Sequence, residues 1–290
     1  MHTGRIYART AAAYLLRRRV LASSKRNVAE LTERAARIWK LLELRYPAPK
    51  SHLVYKNAWE LMVATVLAAQ CTDARVNTIT PEFFRRWPGP AELQHATQEE
   101  VEEVIHSAGF YHSKAKNLLG AAKRVMEVHG GEVPHTLEEL VHVPGVARKT
   151  ANVVLWGAFG INEGLAVDTH VKRISFRLGL TTYTDPVHIE RDLMEIFPRP
   201  TWGDVNHRLV WFGRDVCDAR RPDCHHCELA EICPHIGVTE KMIADDSEAE
   251  DKPAKKTKKP AAKKAVKEES TVEEAQSAPK KRGRPRKTAE

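Results

Sequence analysis

The sequence predicts an all-α core between two basic tails. Three observations carry this. Apolar residues recur at helical spacing through most of residues 27–236, and strand-type alternation is almost absent. The ends also differ from the middle. Residues 1–26 hold seven Lys/Arg and no acid, and residues 251–290 hold fourteen Lys/Arg against six Asp/Glu. The net charge of +8 therefore sits in the ends, because residues 27–250 carry 25 bases and 32 acids. Such asymmetry points to polyanion-binding tails on an ordinary folded core. No apolar run approaches the ~18 residues of a membrane span. Five cysteines are too few, and odd in number, for a secreted disulfide scaffold.

The N-terminal 26 residues carry only a short apolar patch, Ala11 to Leu16, too short for a signal-peptide core. They read as a basic extension, with an organellar presequence as the alternative. Val28, Leu31, Ala35, Ile38 and Leu42 then form one apolar stripe on a first helix. A second helix is predicted over Asn57 to Cys71, apolar nearly all round and so buried. Thr97-x-x-Glu100 and Thr136-x-x-Glu139 read as capping boxes. Pro81 and Pro90 suit first-turn positions, with Thr80 and Gly89 as caps. Further helices are predicted over 113–129, 148–158, 169–179, 186–197 and 204–216. From Gly237 onward the chain is Lys, Ala, Pro and Glu without aromatics, which predicts disorder over 237–290.

Cys217, Cys224, Cys227 and Cys233 form a C-x6-C-x2-C-x5-C run. Four thiols in one loop fit an iron–sulfur cluster, [4Fe-4S], with a zinc site as the alternative because His225, His226 and His235 lie near. Cys71 is expected to be a buried free thiol. Leu137 to Ala151 reads as helix, Pro144-Gly145 turn, helix. Such a hairpin points its N–H groups and a helix N-terminus outward together, an anion site suited to a DNA phosphate. Arg148 and Lys149 beside the turn favour that use over a plain αα-corner. Lys149 falls in a first turn, where the positive end of the helix disfavours an ammonium. Beside Arg148 and partly desolvated, it is a usable amine nucleophile. Asp168, in Ala166-Val-Asp-Thr-His170, looks like an N-cap and hence an ionised electrostatic partner rather than a strong base.

Four segments, Leu67–Asp73, Val143–Ala151, Val167–Val171 and the cysteine run, occur in order at suitable distances. Together they resemble the endonuclease III family of helix–hairpin–helix DNA glycosylases, over roughly residues 27–236. The resemblance implies a six-helix domain over 51–161, inserted into an iron–sulfur domain of 27–50 and 162–236, with DNA binding between them. It implies a monomeric glycosylase and AP lyase of base excision repair, acting on oxidised pyrimidines or abasic sites in double-stranded DNA. Lys149 matches the family nucleophile, Asp168 its catalytic aspartate, and Gln70 a residue that enters the gap left by the flipped nucleotide. Arg220 and Arg221 match basic backbone contacts, and His170 a motif member read here as packing. Ala147 departs from a common second hairpin glycine. If φ > 0 were needed there, alanine would cost ~1–2 kcal/mol, so Gly145 is expected to take the special geometry. Gly164 replaces a proline usual before the aspartate, which predicts a less rigid loop.

Two rivals remain at this level. An adenine-specific mismatch glycosylase shares the cysteine spacing, but has another residue at the lysine position and a glutamate where this chain has Thr65. A non-catalytic DNA-binding protein has no use for Lys149 and Asp168. In the tail, Arg282-Gly-Arg284-Pro285 resembles an AT-hook core, with a nuclear-localisation signal or a solvated basic run as alternatives. A reducing compartment suits the cysteine usage, and the tail suits a bacterial nucleoid, with nucleus or mitochondrion also open.

Overall fold

The computed structural model describes residues 27–244, and both basic tails, with Arg282 and Arg284, lie outside them. The helices are α1 (27–45), α2 (Ala58–Leu67), α3 (Asp73–Arg86), α4 (Pro90–Leu93), α5 (Gln98–Ile105) and α6 (Tyr111–His129). They continue as α7 (Leu137–Leu140), α8 (Arg148–Phe159), α9 (Thr169–Arg177), α10 (Pro186–Ile196), α11 (Trp202–Asp215) and α12 (Glu240–Ala244). Among the described residues the β pairing is one isolated bridge, Cys217 to Pro222.

Two hydrophobic clusters organise these helices. One gathers buried side chains from Trp59 to Leu155, the other Ala35, Ile38 and Leu42 together with Leu165 through Leu229. The α1 stripe thus joins the later helices, leaving residues between to build the first cluster. α2 lies at the centre of that cluster, with Leu61, Val63 and Leu67 fully buried. Burial of each such side chain contributes about 1.5–3 kcal/mol.

Several boundaries differ from the sequence reading. α2 ends at Leu67, not Cys71, because the Lys114 ammonium binds Leu67 O at 2.8 Å and Gln70 turns left-handed at φ 52°. α3 starts at a Thr72 cap, so Pro81 stands inside the helix rather than in its first turn. The Pro81 ring removes the N–H that Asn77 O would accept. The Asn77 side chain ties α3 to the loop before α2, donating to His52 O and accepting from Val54 N at 2.8 and 3.0 Å. The Thr97 box is complete, with both reciprocal bonds formed. At Thr136 only half forms, because its hydroxyl donates to the Glu139 carboxylate at 2.7 Å. Gly237 does not begin a structureless tail, since Met242 N bonds Thr239 O at 2.9 Å and α12 follows directly.

Candidate active site

The hairpin between α7 and α8 turns on Gly145, whose φ is +80°. A side chain there would be strained, and its Cβ would also lie 2.9 Å from Asn117 Cβ on α6. Ala147 is extended, at φ −82° and ψ 167°, so its methyl costs nothing. It is the N-cap of α8 and supplies no side-chain cap. The first-turn N–H groups of a twelve-residue helix are thereby left to an outside acceptor.

Lys149 lies in that first turn and is exposed, so the protein alone does not give it the partial desolvation expected. Arg148 also makes an ion pair that the sequence did not suggest. Its Nε and Nη2 bind the Glu190 carboxylate of α10 at 2.7 and 3.0 Å, leaving both N–H groups of Nη1 and one of Nη2 for a phosphate. That hydrogen-bonded pair raises the Arg148 pKa above its usual value.

Asp168 is the N-cap of α9, as the sequence indicates, accepting from Val171 N at 2.8 Å. The loop into it is held at several points. Glu163 accepts from Leu137 N at the start of α7 (2.8 Å), and Ala166 O accepts from buried Asn206 of α11 (2.7 Å). Gly164 is buried, and a Cβ there would sit 2.3 Å from Glu190 Oε1. The space a proline ring would take at this position is filled by Glu190 and Asn152. His170 Nδ1 is 3.2 Å from Arg173 Nη2, which suits the packing role. Burial pushes His170 below its usual range; the Asp168 charge opposes this, and Arg173 and Arg214 add to it.

Gln70 is exposed in the left-handed turn after α2. Sequence reasoning missed its neighbour Phe110, the αL N-cap of α6, which is 67% exposed. The two turns touch, since a Cβ on Gly109 would lie 3.5 Å from Gln70 O. Two non-glycine residues held at positive φ in adjacent exposed turns mark a site where position outweighs strain. The Gly109-Phe110 pair was the only available signal.

All four cysteines of the C-terminal run line one cavity with Arg177 and Leu229, and all are free thiols. Donors already face the sulfurs: Arg177 Nη1 reaches Cys217 Sγ at 3.3 Å, and His235 N reaches Cys233 Sγ at 3.4 Å. Burial pushes the Cys227 thiol up to about 12 and raises Cys224 and Cys233. A coordinating metal inverts that preference and deprotonates the thiol. This donor set, with N–H groups to the sulfurs, fits an iron–sulfur cluster. The Cys217–Pro222 bridge and Asp218 Oδ1, accepting from Arg220 N and Arg221 N at 2.8 and 3.0 Å, close a tight loop. Both arginines are exposed on it. Cys71 is half-buried rather than buried.

Residues 63–199 match the HhH-GPD superfamily of base excision DNA repair proteins. Endonuclease III of Synechocystis sp. is 50% identical over 214 residues, covering 74% of this chain and 98% of that protein. A solved non-covalent endonuclease III–DNA complex has a TM-score of 0.67 at 38% identity, covering 70% of this chain and 95% of that one. A trapped endonuclease III–DNA covalent intermediate gives 0.67 at 39%, with 70% and 96% covered. An uncapped hairpin helix carrying an exposed lysine, an N-cap aspartate and a four-thiol pocket agree with this similarity across nearly the whole relative: the chain belongs to the endonuclease III family.

Proposed function

We propose that this enzyme removes oxidised pyrimidines from duplex DNA and cuts abasic sites through a lysine Schiff base. The observation that carries the reading is the exposed Lys149 in the first turn of α8, which has no side-chain cap, beside the left-handed Gly145 turn. The hairpin N–H groups anchor the strand without reading sequence. Duplex closing over Lys149 supplies the desolvation that the protein does not. The Lys149 amine attacks C1′ and the C1′–N bond breaks, the base leaving with the electron pair. Asp168, at the α9 cap, stabilises the cationic sugar as it forms. The sugar ring then opens at C1′–O4′, the attacking amine's proton passing to O4′, and the resulting iminium acidifies the C2′ proton; its loss expels the 3′ phosphate and cleaves the strand. A relative trapped covalently on DNA supports such a step.

Gln70 and Phe110 take the space of the extruded nucleotide, the amide meeting the unpaired base and the phenyl unstacking its neighbours. Phe110→Ala is expected to weaken binding to abasic duplex about tenfold, the worth of ~1–3 kcal/mol per stacked base. Titration by fluorescence anisotropy checks this, and an unchanged Kd would remove Phe110 from the interface. In the cysteine pocket, Cys217, Cys224, Cys227 and Cys233 would hold the cluster. Bound there, an iron–sulfur cluster supplies structural metal–thiolate links that fix the Arg220–Arg221 loop against phosphate.

Cleavage of a lesion panel with borohydride present tests the whole reading. Covalent adducts are expected with oxidised-pyrimidine and abasic duplexes. Adenine release from mismatches without an adduct would favour the mismatch glycosylase. Binding without turnover would favour the non-catalytic reading. Bacterial endonuclease III relatives and a duplex substrate support a nucleoid location.

A further inference from the structure

We propose that Glu190 is a positioning residue that fixes Lys149 relative to Asp168, and that Gly164 exists to admit it. The proposal rests on the roles given above to those two residues. Glu190 lies on α10, remote in sequence from both, and is 6% exposed. Its Oε2 accepts from Arg148 Nε at 2.7 Å, and its Oε1 accepts from Arg148 Nη2 at 3.0 Å and Asn152 Nδ2 at 3.1 Å. Arg148 and Asn152 are one turn apart on α8 and share a face, and Lys149 stands between them in sequence. Gripping that face sets the rotation of the first turn, and with it the direction in which the lysine leaves the helix.

The same carboxylate touches the aspartate's segment. A methyl on Gly164 would lie 2.3 Å from Glu190 Oε1 and 2.5 Å from Asn152 Nδ2. Gly164 is four residues before Asp168, in the loop whose Ala166 O is pinned by Asn206. One buried group thus spans the two segments that deliver the nucleophile and its electrostatic partner. The arrangement is not the cheapest packing available. Asn152 Oδ1 is buried without a hydrogen-bond partner, the kind of orphan acceptor that stability alone selects against. Reacting groups need such fixing, since a displacement of ~1 Å can lower a rate ~10²-fold.

Two variants attack the contact from opposite sides. Glu190→Gln weakens the grip on Arg148, and Gly164→Ala pushes the carboxylate off the loop. Borohydride trapping on a pre-formed abasic duplex is measured under single turnover at saturating full-length enzyme, with Kd and the melting temperature measured separately. Both variants are expected to trap at least about thirtyfold more slowly, with Kd changed less than about threefold. A purely structural ion pair would lower the melting temperature and leave the trapping rate of bound, folded enzyme alone. Trapping within threefold of wild type in either folded variant overturns the proposal, and if Glu190→Gln does not fold, Gly164→Ala decides it. Lys149→Gln is run in parallel. If it traps, the nucleophile assignment itself has failed. If it is inert while the two variants trap normally, only the role of Glu190 has failed.

Discussion

Lys149→Gln should abolish strand cleavage and borohydride trapping while leaving DNA affinity nearly intact. The expected loss is at least about a thousandfold in rate, or ~4 kcal/mol of barrier. Glutamine keeps a flexible polar side chain, one atom shorter than lysine, but has no amine to attack C1′. Lys149 is exposed, so its replacement opens no cavity and should change stability by less than about 0.5 kcal/mol. The phosphate anchor also survives, because the α8 N–H groups and the Gly145 turn belong to the backbone. Removing one cation should reduce the salt slope of binding by no more than about one. Affinity and chemistry therefore separate at this residue, and gel-resolved single-turnover cleavage beside an anisotropy titration shows whether they do. Trapping by the variant at the wild-type rate would exclude Lys149 as nucleophile. A joint collapse of affinity and rate would make it a phosphate contact instead.

The sequence is most legible where local chemistry decides. The α1 stripe is read at steps of three and four, and Ala35, Ile38 and Leu42 are indeed buried at 3% exposure or less. Pro144-Gly145 announces a turn that only glycine makes cheaply, and Asp168 announces a cap; both follow from residue type and neighbours. What was misread depends on partners distant in sequence. Nothing local stops α2 at Leu67, because the ammonium that takes its carbonyl comes from Lys114, 47 residues on. The Arg148–Glu190 ion pair could not be foreseen beside the hairpin, because Glu190 is 42 residues away. Pro81 resembles a helix start, but α3 already begins at the Thr72 cap, whose side chain accepts from Arg75 N. Phe110 was missed for a related reason: left-handed backbone at an aromatic residue is forced by its surroundings, not by its own preference.

Cys227→Ser should remove the brown colour and broad visible absorption that the proposed cluster would give the purified protein, together with the fixed shape of its C-terminal loop. The thiolates are the only soft ligands in the cavity, and a serine hydroxyl is a poor substitute for iron. The loss reaches beyond the ligand. Arg177 of α9 donates to Cys217 Sγ and to Asp218 O and Ala219 O, and Arg173 donates to Cys217 O at 3.0 and 3.2 Å. The cysteine loop and α9, which begins at the Asp168 cap, are therefore one hydrogen-bonded unit. In a site where metal binding contributes folding energy, losing a ligand should lower the melting temperature and free the Arg220–Arg221 loop. Affinity for abasic duplex should then fall at least about tenfold, ~1.4 kcal/mol in binding terms. Cys71→Ser is the control, since that thiol lies outside the cavity and should leave colour and affinity unchanged. Iron, sulfide and zinc analysis of protein purified without air separates the alternatives. Stoichiometric zinc without iron would replace the cluster by a single ion. A brown Cys227→Ser protein of wild-type stability would remove Cys227 from the ligand set.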